Sequence, residues 1–214
     1  VTYVLNITCL NITAGLRGNC VGDSREIFVA VNSTIISNEL NFFGDDNYFY
    51  NWTVKSSDGI VNSSFAVPRN ITTEVLTALS MPTSFINFGS VISGTKDNTT
   101  DDSPSPFVIQ NDGNSMISVN ISAISLLFAT QSSPNSTYQY KIGNTSETGS
   151  YVSSNSTTTF TNIPLANNTA IWGLNKTDTN DSAEIDILIE VPQTEPSGNR
   201  TSRLIFTAFY PFAY

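Results

Sequence analysis

Apolar and polar residues alternate with a period of two along much of this chain, the pattern of half-buried β-strands. At the start, Val1, Tyr3, Leu5, Ile7 and Cys9 fall on one face, and Thr2, Val4, Asn6 and Thr8 on the other. Further on, Ile117, Val119, Ile121 and Ala123 alternate with Ser118, Asn120 and Ser122. Ala183, Ile185, Ile187, Ile189 and Val191 are expected to face inward, and Glu184, Asp186, Leu188 and Glu190 largely outward. Additional strands are expected over 26–36, with Ile27, Val29 and Val31 inward, and over 48–55, with Tyr48, Tyr50, Trp52 and Val54 on one face. The last strand is expected over 203–210.

Turn residues separate these runs. Asp58-Gly59 predicts a hairpin turn into a strand over 60–67, and Asn111-Asp112-Gly113-Asn114 supplies residues that tolerate positive φ. One segment reads differently. Asn70 can cap a helix over 68–80, where Ile71, Val75 and Leu79 stand four apart. The whole is an all-β chain with little helix, a jelly-roll-like β-sandwich of about ten strands. Its expected partition is an extended N-terminal strand segment, 1–14, and a single sandwich domain, 15–214.

The central stretch 85–123 carries a family resemblance. Phe85-Ile-Asn-Phe-Gly-Ser-Val91 reads as a strand, followed by a polar loop ending at Pro104 and Pro106, then Pro106-Phe-Val-Ile-Gln-Asn-Asp-Gly-Asn114 and the alternating strand. This order resembles the TasA/camelysin class of secreted β-sandwich proteins and the archaeal bundling-pilus and thread subunits. Glu190-Val-Pro192 and the run Ser197 to Phe206 extend the likeness to about residue 208. The resemblance implies a subunit that polymerises into an extracellular, cell-surface filament without catalysis. Its partners would be other copies of itself, with further contacts to the cell surface or between filaments. In that frame Val1, Tyr3, Leu5 and Ile7 are expected to fill pockets of the neighbouring subunit as a donor strand. A monomeric surface-layer or adhesin domain that binds carbohydrate or another surface protein is the competing reading. A viral jelly-roll coat protein accounts for the fold but not for the motif described next.

Asn-x-Ser/Thr, with x other than Pro, begins at Asn6, Asn11, Asn32, Asn51, Asn62, Asn70, Asn98, Asn120, Asn135, Asn144, Asn155, Asn167, Asn175, Asn180 and Asn199. Random placement among the 24 asparagines would give about six such sequons, so the fifteen present are more than a twofold excess. In Asn6/Thr8, Asn51/Thr53 and Asn120/Ser122 the acceptor pair lies opposite the apolar face, where a sugar would point to water. The expected modification is covalent N-glycan, with no other cofactor.

Charge and cysteines narrow the picture. A net charge of −9 disfavours nucleic acid as a partner. Only 13% of residues are charged, about half the usual share, so the surface is neutral-polar and loses little charge in acid. No apolar run reaches the roughly 18 residues of a membrane-spanning helix, and the long apolar helix of a type IV pilin is lacking. The chain is expected to be a secreted protein whose leader has been removed. Cys9 and Cys20 are the sole cysteines, and in a secreted chain such a pair is expected to form a disulfide worth roughly 3 kcal/mol. Two reduced buried thiols are the alternative.

The chemistry of catalysis is sparse. With no histidine, Ser–His and Cys–His arrangements are absent, and two cysteines alone do not make a zinc site. Asp45-Asp46, Asp97 with Asp101-Asp102, and Asp178 with Asp181 are carboxylate clusters without calcium-loop spacing, and they read as solvated loops. Tyr48, Tyr50 and Trp52 can stack on sugars or belong to the core. No catalytic or metal-binding residue is expected, and the chain is not expected to be an enzyme.

Overall fold

The computed structural model describes residues 2–10, 24–30, 49–72 and 74–211. The chain divides into two compact units, Val1–Val75 and Leu76–Tyr214. The expected partition at residue 14 therefore does not coincide with the observed one, which falls at 75/76.

The N-terminal unit is one antiparallel sheet of β1 (Thr2–Leu10), β2 (Ser24–Ala30), β3 (Phe49–Ser57) and β4 (Arg69–Thr72), in the order β2-β1-β3-β4. β1 is an inner strand. It pairs with β2 from Thr2↔Ala30 to Thr8↔Ser24, and with β3 from Thr2↔Ser57 to Leu10↔Phe49. The helix expected over 68–80 is not formed, because Arg69–Thr72 pairs with β3 as a strand. Ile71, Val75 and Leu79 are four apart, but Ile71, Thr72 and Val75 are β-branched, and a sheet edge was available to them. After Asp58-Gly59 the chain makes only a single bridge, Ser57↔Asn62, with bonds from Ser63 N to Ser56 O and from Ala66 N to Val54 O. The turn itself is as expected: Asp58 Oδ1 accepts from the backbone N–H of Ile60 and Val61, and Gly59 has φ of 92°.

Burial in this unit departs from the alternation. Val4, expected on the polar face, is buried, while Tyr3 is half-buried. Tyr50 is buried as expected, and Trp52 and Val54 are half-buried. Tyr48 and the 31–36 part of the second strand lie outside the described residues.

The C-terminal unit is a two-layer antiparallel sandwich. Its strands are β5 (Leu79–Thr83), β6 (Lys96–Asn98), β7 (Phe107–Asn111), β8 (Ile117–Ala123), β9 (Tyr138–Gly143), β10 (Thr161–Asn162), β11 (Asn168–Leu174), β12 (Ser182–Glu190) and β13 (Leu204–Phe209). One sheet runs β10-β9-β12-β7-β5, with β6 also on β12; the other runs β11-β8-β13. Between them lies one continuous core in which Ile109, Tyr140 and Ile185 of the larger sheet join Ile117, Val119, Ile121, Ile171 and Leu174 of the smaller one. Phe107 and Phe206 meet edge to face across the layers, ring centres 5.8 Å apart.

β8 and β12 bury their apolar positions as the alternation predicts. Asp186, expected to face out, is buried. Thr99 Oγ1 donates to Asp186 Oδ1 at 2.9 Å, and Lys141 Nζ lies 3.4 Å from Asp186 Oδ2. β6 pairs beside β12 and so brings Thr99, the residue after it, to Asp186, while Lys141 stands opposite on β9, and an outward position becomes a lined one. Gly113 has a different purpose from the one the turn motif implies. It is not at positive φ, but a Cβ there would stand 2.3 Å from the Leu76 carbonyl oxygen. The residue is glycine for space.

Candidate functional site

Three features of the described residues bear on function: the seat of β1, a groove in the C-terminal unit, and the placement of the sequons.

β1 fills a slot with a ladder on each side. Without it, β2 and β3 would each present an unpaired edge, which is costly in water and prone to pairing with another chain. Cys9 belongs to this strand, but Cys20 lies outside the described residues, as do Asn11 and Asn32. The expected disulfide therefore falls outside them too.

The groove holds about 1020 Å³ and opens between the sheets of the C-terminal unit. Its apolar floor includes Phe107, Ile187, Ile189 and Phe206. It arises because the smaller sheet has three strands against the larger sheet's longer row, and its last strand, β13, pairs on one side only, with β8. On the facing rim, Phe85–Val91 alternates as expected of a strand yet belongs to none. No backbone–backbone hydrogen bond among the described residues involves it, and Asn87 Oδ1 merely closes a local turn on Gly89 N at 2.9 Å. Phe85 and Ile92 are exposed.

One end of the groove is pinned by Glu195. Its carboxylate accepts from Ala129 N at 2.9 Å, Thr130 N at 3.1 Å and Thr130 Oγ1 at 2.6 Å, and pairs with Arg200 Nε. Desolvation pushes the Glu195 pKa up, but these four donors outweigh it and hold the group at about 2. Arg200 in turn donates to the carbonyls of Pro196 and Asn199.

Thirteen sequon asparagines are described, and none is buried. Asn62, Asn70, Asn144, Asn155, Asn167 and Asn199 are exposed; Asn6, Asn51, Asn98, Asn120, Asn135, Asn175 and Asn180 are partly so. Asn111, which begins no sequon, is buried. At a strand end or in a loop the sequon closes on itself: Asn98 Oδ1 accepts from Thr100 N at 2.9 Å, and Asn135 Oδ1 from Thr137 N at 3.0 Å. Between β8 and β11 the hydroxyl reaches across instead. Thr169 Oγ1 donates to Asn120 Oδ1 at 3.0 Å, and Ser122 Oγ to Asn167 Oδ1 at 3.1 Å. Sequence reading missed this cross-strand pairing, because it depends on register between distant segments.

The carboxylates take local structural roles. Asp97 and Asp101 accept from nearby backbone N–H groups, and Asp102 sits at φ 61°. Asp45 and Asp46 lie outside the described residues. Asp181 is buried, with Oδ2 at 3.5 Å from Gln110 Nε2, while its Oδ1 and the Oδ1 of Asn180 meet no donor. Beside it Glu147 Oε2 accepts from Asp181 N, Ser182 N and Ser182 Oγ, so the sequence had concealed a structural hub. Among the described residues no group of three acidic, histidine or cysteine side chains is placed to hold a metal ion, and no helix is long and apolar enough to cross a membrane.

Comparison with protein-family models, curated proteins and solved structures found no match to this chain.

Proposed function

We propose that this chain is a structural subunit of a heavily glycosylated extracellular filament, polymerising head to tail by exchange of its N-terminal strand. The observation that carries the reading is the seat of β1. It is an inner strand with complete antiparallel ladders on both sides, joined to β2 by thirteen residues. Such a linker reaches roughly 40 Å when extended, enough for the strand to lie in the same slot of a neighbour. Exchange conserves every ladder bond, so its cost is low, and because the contact is head to tail it does not close on itself. Val1, which lies outside the described residues, Tyr3, Leu5 and Ile7 are the donor residues in this reading. The sequons support the extracellular setting: they are in excess, and no described one has a buried asparagine.

The test is removal of residues 1–8, or Leu5→Asp with Ile7→Asp. Electron micrographs of purified material should show filaments from the parent chain and only monomers or aggregates from the variants. Normal filaments from the truncated chain would refute strand exchange.

The groove favours a second reading, a monomeric surface adhesin. An extended segment of another surface protein, laid between β13 and Phe85–Val91, would gain a ladder edge and apolar pockets. Parent chain that remains monomeric at all concentrations would favour it.

A further inference from the structure

The sequons Asn120-Ile121-Ser122 and Asn167-Asn168-Thr169 lie on adjacent antiparallel strands with Asn120 opposite Thr169 and Asn168 opposite Ile121. Each hydroxyl therefore bonds the other sequon's asparagine, through Thr169 Oγ1 to Asn120 Oδ1 and Ser122 Oγ to Asn167 Oδ1. The reason is geometric. In an extended strand residues i and i+2 share a face but stand about 6.6 Å apart, too far for a sequon to close on itself as it does in a turn. The directly opposite residue is about 5 Å away and is the natural partner.

We propose that these two sequons form one coupled modification site, glycosylated on the paired strands, in which each hydroxyl positions the other strand's acceptor amide. The inference rests on reading the sequons as glycan acceptors. A hydroxyl bonded to Oδ1 fixes the rotation of the planar amide and leaves Nδ2, its other arm, as the free end. The co-substrate is a glycosyl donor activated as a phosphate ester at its anomeric carbon. The Nδ2–carbon bond forms, the anomeric carbon–oxygen bond to phosphate breaks, and an Nδ2 proton leaves with the phosphate; no electrons are transferred. The remaining Nδ2 hydrogen and Oδ1 are untouched, so the cross-strand bond persists in the product. The two acceptors stand diagonally, about 7–8 Å apart, which leaves space for a sugar on each. The N-terminal sheet has the same register, with Asn6 opposite Thr53 and Thr8 opposite Asn51, but there Thr53 Oγ1 donates to the Ala66 carbonyl at 2.6 Å instead.

The coupling separates two substitutions that a sequon-by-sequon scheme treats alike. Ser122→Ala destroys the Asn120 sequon and also removes the donor to Asn167. Asn120→Gln destroys the same sequon but leaves that donor in place. With the whole chain produced in a glycosylating host, site-resolved mass spectrometry should show Asn167 occupancy lowered about fivefold by Ser122→Ala, the population effect of one lost hydrogen bond, and unchanged by Asn120→Gln. Thr169→Ala and Asn167→Gln supply the mirror experiment at Asn120, and Ser122→Thr should restore both sites. Unchanged Asn167 occupancy in Ser122→Ala, with other sequons occupied, overturns the coupling alone. Absence of sugar from every sequon of the parent chain overturns the glycan reading and the coupling together.

Discussion

The side-chain nitrogen of Asn111 lies 2.8 Å from the carbonyl oxygen of Asn175, which ties the end of β7 to the end of β11. The same nitrogen also donates to Ser115 O at 2.8 Å and Leu174 O at 3.2 Å, and Asn111 Oδ1 accepts from Gly113 N. One buried amide at the end of β7 thus serves three carbonyls, one just before β8 and two at the end of β11. Only an amide matches this set, because the nitrogen must donate repeatedly while the oxygen accepts.

Asn111→Asp keeps the shape and removes the donors. An ionised carboxylate would face three carbonyl oxygens without a counter-charge, so the variant should lose about 3–5 kcal/mol at neutral pH. Protonation restores one donor, and the loss should shrink in acid. Urea unfolding of parent and variant at pH 7 and near pH 3 checks both parts. A loss that is small, or equal at the two pH values, would contradict the account.

Glu195 gives a second pH-dependent contribution. Its folded pKa, held at about 2, lies below the ordinary carboxylate value. Its stabilising effect is therefore fully present above the unfolded value, about 4.3, and disappears as pH falls through about 2. Glu195→Gln should lower the melting temperature at pH 7 by an amount that diminishes between pH 4 and 2. Differential scanning calorimetry across that range is the measurement.

Asp181 works in the opposite direction. Burial raises its pKa first, Glu147, Asp178 and Asp112 raise it further by repulsion, and the bond from Gln110 only partly opposes them. For a carboxyl raised on folding, the penalty is absent below the unfolded pKa and grows as pH climbs through the folded one. Asp181→Asn should therefore stabilise the chain at neutral pH and change nothing in strong acid. Melting curves at pH 7 and pH 2 would show the gain in the first alone.

Legibility in the sequence followed packing. The inward residues of β8 and β12 were readable because both strands lie against one shared core, but Ser118 and Ser122 on the other face of β8 are buried too, so period two named the inward set without fixing the outward one. Asp186 also broke the rule, because Thr99 and Lys141 from neighbouring segments close on its carboxylate, and no local pattern announces such distant partners. Phe85–Val91 has strand periodicity without a partner, which shows that alternation marks a willingness to pair and leaves the partner open. The 68–80 segment misled through apolar spacing that a strand and an extended loop also satisfy. The groove and the reciprocal sequons were hidden for a common reason: both depend on which distant strands stand side by side.

Strand exchange makes a register-specific prediction. Within the chain Tyr3 stands opposite Ser56, and an exchanged β1 would keep that register against β3 of its neighbour. Opposite residues in an antiparallel pair have Cβ atoms about 4.5–5.5 Å apart, near enough to disulfide geometry for modest backbone adjustment to close the bond. Tyr3→Cys and Ser56→Cys should therefore be prepared as separate chains, mixed, allowed to assemble and then oxidised. Neither chain carries both new thiols, so a covalent dimer dependent on both substitutions requires β1 of one molecule to lie on β3 of another. Tyr3→Cys paired instead with Val54→Cys, two residues out of register, should yield far less dimer. Chains that keep their own β1 would remain monomeric on a non-reducing gel, and assembled filaments lacking the cross-link would place the polymer contact elsewhere.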